Sequence, residues 1–300
     1  MAELVTGNGD MEMVRMVHPS GSSCEVYLFG ASVTKFSPAS APQRNMLWVS
    51  SDAKYNNEKS IRGGIPLVFP QFGRPDERMA QHGFVRNSKW NFAGSTTEGD
   101  ELVSSFVITH EDATHEAWPY KYELQFDVRL APESLTTVLN IKNTGDEEFG
   151  FQCLQHPYFN VGDITETRVI GFQGCSYFDK VTGELTNPIE ETREVVDVTQ
   201  ETDRIFCAPI PDPILVKCPA GDFEVSKSAK IVEGASEGPL SPDTVFWNPW
   251  IDTAAGMSDF NNDGYLEMLC VEPGLVNGKT QLPPGAIASL TQVVRPALEA

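Results

Sequence analysis

The stretch from residue 122 to residue 156, YELQFDVRLAPESLTTVLNIKNTGDEEFGFQCLQH, carries apolar side chains at nearly every second position through three runs, broken by APES and NTGDEE. Alternation with a period of two sends successive side chains to opposite faces of an extended chain and gives a helix no apolar stripe. The two breaks read as hairpin turns, so three sequential strands are expected here. Comparable runs recur along the chain. SSCEVYLFG sets Cys24, Val26 and Leu28 against Glu25, Tyr27 and Phe29, and ELVSSFVITHE aligns Val103, Ser105 and Val107. DFEVSKSAKIVE, DTVFWNPW, YLEMLCVEP and AIASLTQVV are further candidates. Helical periodicity is short or interrupted by Gly or Pro throughout, so the expectation is an all-β sandwich or barrel with few short helices. No compositional boundary divides the 300 residues, and residues 1–300 read as a single β-domain.

A chain of this length buries most of its apolar surface without disulfides or a structural metal. Its six cysteines are scattered with no C-x-x-C pair, which suits buried reduced thiols and a reducing compartment. The opening MAELVTGNGDMEMV has neither the basic nor the apolar region of a secretory signal. No apolar run approaches the ~20 residues of a membrane helix. A cytoplasmic protein is expected, and with nothing resembling an obligate interface, a monomer. The formal net charge of −20 repels nucleic-acid phosphates and anionic lipid, so neither nucleic acid nor membrane is an expected partner. An anionic ligand would have to be held by a few well-placed arginines.

Residues 59–92 supply such arginines. Gly63, Gly64, Pro66 and Pro70 impose an irregular course that presents Arg62, Gln81, His82 and Arg86 among apolar residues. Two guanidiniums there can grip a phosphate or carboxylate bidentately, or each can simply pair with a surface acid. In LQHPYFNVGDI, His156 stands at the end of a strand with Pro157 behind it to stop the pairing; the ring is either structural or a general acid or base. Glu272 ends a strand just before Pro273 and Gly274, and Asp203 and Asp243 lie beside apolar runs. Trp247 and Trp250 suit a core role or stacking on a sugar. No H-E-x-x-H, D-x-D-x-D-G, nucleotide-binding glycine motif or G-x-S-x-G elbow occurs. The residues alone allow an acid–base enzyme or a sugar binder.

The ordered segments IRGGIPLVFPQFG, QHGFVRNSKW, LQHPYFNVGDI, ETDRIF, PDTVFWNPW, MLCVEPG and LPPG resemble the glucose-6-phosphate 1-epimerases of the aldose 1-epimerase superfamily, over nearly the whole chain. The resemblance implies a galactose-mutarotase-like β-supersandwich that interconverts the anomers of an aldohexose 6-phosphate without a cofactor or metal. It implies His156 as acid toward the ring oxygen and Glu272 as base on the C1 hydroxyl. Arg62, Gln81, Arg86 and Asp203 are implied to bind substrate, the arginines as a phosphate clamp. Asp243 would orient His156 or bind a hydroxyl. His82 follows Gln81, and strand alternation would turn it to the other face, so it is either a site ligand or a structural ring. Ala286 and Ile287 stand where the family often has an aromatic residue after its last PG, and residues 166–200 resemble the family only loosely. A mutarotase of free aldoses, a non-catalytic sugar-phosphate binder and a glycosidase using Asp203 and Glu272 remain as alternatives.

Overall fold

The computed structural model describes residues 1–297. These form three antiparallel sheets: a four-stranded sheet from the first 37 residues, an eight-stranded sheet and a ten-stranded sheet. Among the described residues the α-helix is a single short piece, Trp250–Ala255. No helix among them is long and apolar enough to cross a membrane.

Alternation decides the ten-stranded sheet. Tyr122–Leu130 and Leu135–Asn143 pair across the APES turn, with Leu130 opposite Leu135. Leu124, Phe126 and Val128 on one strand, and Leu139 and Ile141 on the other, are fully buried, while the residues between them are half-buried or exposed. Each such side chain contributes about 1.5–3 kcal/mol on removal from water. In Glu101–Thr109 the core set is Leu102, Ser104, Phe106 and Ile108.

The third run departs from the expected hairpin. After NTGDEE the chain leaves the ten-stranded sheet, and Phe149–Gln155 pairs instead with Met268–Leu282 and Leu67–Val68 in the eight-stranded sheet. Phe149, Phe151, Cys153, Leu154 and Gln155 are all buried, which suits an inner strand covered on both faces and not the next rung of a half-exposed meander. Gln155 ties the two large sheets together: its side-chain amide donates to the Leu290 and Thr137 carbonyls at 2.9 and 3.2 Å, and Thr137 Oγ1 donates back to it at 2.5 Å. This buried, satisfied polar link fixes the strand one residue before His156.

Candidate active site

Four neighbouring stretches of the eight-stranded sheet set out the site as two rungs. In one, Asp203 lies opposite Trp247, Trp247 opposite Cys270 and Cys270 opposite Tyr158. In the next, Ile205 lies opposite Val245 and Val245 opposite Glu272. Leu154 pairs with Gly274 and Tyr158 with Cys270, so counting two residues in from either pair sets His156 across from Glu272. Residues two apart share a face, which brings both rungs onto one side of the sheet. Pro157 does not end the pairing as expected: Tyr158–Asn160 resumes it with the same partner strand. The His156 amide donates to the Pro66 carbonyl at 3.0 Å, and Pro157, lacking an N–H, leaves no unpaired donor beside it.

His156 and Glu272 are 7% and 1% exposed, and Nδ1 lies 3.4 Å from Oε1. That nitrogen and both carboxylate oxygens are buried and make no hydrogen bond among the described residues. The ring stacks on Tyr158 at 4.7 Å and meets Trp247 edge-on at 5.7 Å. Burial, reinforced by the charges of Arg86 and Arg62, pushes the imidazole pKa well below its usual value. Burial, with Asp203 adding to it, pushes the Glu272 carboxyl well above the usual carboxylate range. Both shifts favour the uncharged forms, neutral imidazole beside protonated acid.

Arg62, Gln81, His82 and Arg86 form the facing wall of a cleft of about 350 Å³ that His156, Glu272 and Asp203 also line. This volume falls within the range typical of small-molecule sites, about 300–1,000 Å³. The wall depends on glycine. Gly63 and Gly64 have φ of 117° and 66°, and a Cβ on either would lie 2.4 Å from the Trp48 or 2.1 Å from the Val33 carbonyl oxygen. Arg62 is pinned from two sides, donating through Nε to Asp259 at 3.3 Å and through a terminal nitrogen to the Tyr158 hydroxyl at 3.1 Å. Arg86 differs. It donates to the Gln81 carbonyl at 2.8 Å, its Nε is buried without a partner, and burial brings its pKa down to about 10, so it stays charged at neutral pH.

His82 and Gln81 face the same cleft, against the alternation argument, because His82 takes a left-handed φ of 66° that an extended strand does not. Its Nδ1 accepts the Gly73 amide at 3.2 Å. Burial, then Arg86, favour the neutral ring, so its hydrogen sits on Nε2, and the Gln81 side-chain amide 3.3 Å away can accept it only with the amide oxygen turned inward. Asp203 accepts from Lys180 Nζ at 2.8 Å through Oδ2, while Oδ1 is buried with no partner.

A model of the aldose 1-epimerase family matches residues 12–295. The chain belongs to the aldose 1-epimerase family. Over 292 residues, 95% of this chain and 84% of the relative, it is 32% identical to a protein of Cenchrus ciliaris named "Putative glucose-6-phosphate 1-epimerase". An Escherichia coli K12 protein of the same name is 27% identical, covering 96% and 91% of the two chains. Among solved structures, a "putative mutarotase" from Salmonella typhimurium superposes with a TM-score of 0.80 at 21% identity, covering 99% and 97%. A galactose 1-epimerase from Lactobacillus acidophilus superposes with a TM-score of 0.70 at 13% identity, covering 99% of each chain. The fold is the galactose-mutarotase-like β-architecture that the strand pattern and the resemblance led one to expect, and the chain is a sugar epimerase.

Two candidates in the epimerase, Trp250 and Asp243, do not line the cleft, Asp243 lying on the face of Val245 and Trp247 but one rung beyond them. The Asp243 carboxylate is taken up by backbone. It accepts N–H groups of Asn277, Val276 and Ala208 at 2.8, 3.1 and 3.2 Å, so it braces the strand carrying Glu272 and neither orients His156 nor offers a free oxygen to a hydroxyl. Trp247 lines the cleft, whereas Trp250 packs on Tyr265. Sequence reading missed Lys180, Tyr158 and Glu201. Tyr158 was detectable as the next same-face residue after His156, but Lys180 lies in the loosely matching 166–200 region and reaches the site only through the strand pairing of Ser176–Asp179 with Thr202–Phe206. A larger hollow, about 740 Å³ and lined by Arg78, Trp118 and Lys279, does not contain the pair.

His156, Cys270 and Glu272 offer three ligand atoms within 4.8 Å of one another, a donor set that zinc accepts. The surroundings oppose a dication: Arg62, Arg86 and Lys180 all face the same cleft, and burial raises the Cys270 thiol pKa well above normal. The charge arrangement suits an anion.

Proposed function

We propose that this epimerase interconverts the α and β anomers of an aldohexose 6-phosphate, glucose 6-phosphate in the first instance. The observation that carries the phosphate is Arg86, a half-buried guanidinium with a buried, unused Nε and no paired carboxylate among the described residues, beside Arg62 in a protein of net charge −20. A charged group so placed is costly until an anion arrives. The relatives named for glucose 6-phosphate support the same substrate.

In this reading Glu272 takes the proton of the C1 hydroxyl while His156 delivers one to the ring oxygen. The hemiacetal opens, the C1–C2 bond rotates, and closure reverses the roles. Nδ1 of His156 faces Glu272, which leaves Nε2 for the sugar. The unpaired Oδ1 of Asp203 accepts a sugar hydroxyl, and Trp247 supplies an apolar face. Anomer exchange followed by NMR at C1 tests this. Acceleration of glucose 6-phosphate well beyond that of free glucose is expected. Acceleration of free glucose alone would transfer the chain to the mutarotases of unphosphorylated sugars.

A further inference from the structure

The groups around the acid–base pair come from three directions. The facing wall contributes Arg62, Arg86 and His82; the pair's own sheet contributes Tyr158, Cys270 and Asp203; Lys180 and Glu201 stand at the rim. Against this cationic surround, Nδ1 of His156 and both oxygens of Glu272 are buried and make no hydrogen bond among the described residues. Neutral imidazole with protonated acid, and imidazolium with carboxylate, hold the same number of protons. They differ only in which side of a 3.4 Å gap holds one of them. Ring opening as drawn above requires the second arrangement.

We propose that the phosphate of the substrate sets the working state of this pair: seated against Arg62 and Arg86, its negative charge draws the shared proton from Glu272 onto Nδ1 of His156. This rests on the sugar-phosphate reading and adds a catalytic role for a group remote from the reacting bond. The charge acts unequally on the two partners. The arginine wall is built onto the histidine's side: Arg62 donates to the hydroxyl of Tyr158, whose ring stacks on His156 at 4.7 Å, and the His82 ring, next to the Gln81 carbonyl that Arg86 holds, meets His156 edge-on at 5.9 Å. The same arginines, after burial, oppose the charged imidazole, while burial and Asp203 push the Glu272 carboxyl upward. Neutralising the guanidiniums therefore favours the imidazolium more than it disfavours the carboxylate on the far side of the pair. The proton balance closes. Glu272 gives its proton to Nδ1 and receives the O1 proton, His156 gives the Nε2 proton to O5, and ring closure returns both. A free hexose entering the same cleft meets arginines whose charge still opposes imidazolium, so discrimination for the phosphate ester appears in kcat and not in KM alone.

The test supplies the anion separately from the sugar. Inorganic sulfate is a dianion throughout the working range and a weak general base, and it serves as the probe. Wild-type protein is assayed for anomer exchange of free glucose with and without sulfate, against protein-free blanks, with glucose 6-phosphate as control. The His156 ring is titrated in parallel by nitrogen-15 NMR, its signal assigned by difference from His156→Asn. Sulfate is expected to raise free-glucose turnover about tenfold or more, one pKa unit corresponding to a factor of ten, and to move the His156 midpoint upward. A midpoint that stays put, or glucose turnover that sulfate leaves unchanged or lowers while glucose 6-phosphate is still accelerated, would overturn the inference and leave the proposed function standing. Failure to accelerate glucose 6-phosphate at all would remove both.

Discussion

Nδ1 of His156 lies 3.4 Å from Oε1 of Glu272 across two adjacent strands, and neither atom makes a hydrogen bond among the described residues. Two groups so close and otherwise unsatisfied are each other's proton partner. His156→Asn and Glu272→Gln are each expected to lower kcat for anomer exchange by about 10²–10⁴, the usual range for a general acid or base. KM should change little, since the anion contacts lie on the facing wall. A variant with unaltered kcat would leave that side chain a structural role only.

The two arginines predict different outcomes on substitution. Arg62→Met leaves Asp259, 1% exposed, with Lys59 as its remaining ion partner, so it is expected to lose about 1–3 kcal/mol of stability as well as substrate affinity. Arg86→Met removes a half-buried cation that no carboxylate among the described residues pairs. Its melting temperature should hold or rise, while KM for glucose 6-phosphate increases by the ~1.5–3 kcal/mol of a charged hydrogen bond, about 10- to 150-fold. Calorimetry alongside kinetics separates the two effects. Equal destabilisation by both substitutions would show that Arg86 has a structural partner.

The residues of this site were legible singly and their arrangement was not. His156 and Glu272 stand out because each interrupts an apolar alternation with a titratable group, but they are 116 positions apart, and only the strand register sets them face to face. A one-residue slip would have turned one of them away. Sequence alternation also misled at two points. It took Phe149–Gln155 for the next strand of a meander, because local pattern does not say which sheet a doubly buried strand joins. It turned His82 away from Gln81, because a left-handed residue breaks the period-two rule. Lys180 carries no motif, and its place depends on a strand edge that pairing alone fixes.

Glu272 should also make stability fall with pH. Its folded-state pKa is raised above the unfolded value by burial, so its contribution is fully present below the unfolded carboxylate value and is lost as pH rises through the folded one. In that window the native state holds a proton that the unfolded state has released, a slope of about −1.4 kcal/mol per pH unit. His156 is depressed, so it contributes the opposite slope below the ordinary histidine value, and the two largely offset there. Comparison with Glu272→Gln isolates the carboxyl. The variant is expected to gain stability relative to wild type as pH rises above ~4.5, the ordinary value for glutamate. Urea unfolding from pH 4 to 9 measures this, and a pH-independent difference would mean that Glu272 is ionised in the folded protein.

The wall that presents Gln81, His82 and Arg86 depends on Gly83. Its φ is 76°, and a Cβ there would stand 2.0 Å from the Phe69 carbonyl oxygen, a backbone atom with no freedom to retreat. Gly99, in the turn between Asn91–Glu98 and Glu101–Thr109, has a φ of 62° with nothing within 4 Å of the same added atom. Alanine at Gly99 thus meets only the left-handed backbone cost, about 1–2 kcal/mol. Alanine at Gly83 adds a backbone clash that must displace residues 81–86 or the Phe69 segment. Gly83→Ala is expected to lose well over twice the stability lost by Gly99→Ala, together with most anomer-exchange activity. Gly99→Ala should retain activity. Equal losses from the two substitutions, with activity kept in both, would mean that the wall yields to the methyl group and that its close approach to Phe69 does not hold the arginine and histidine in place.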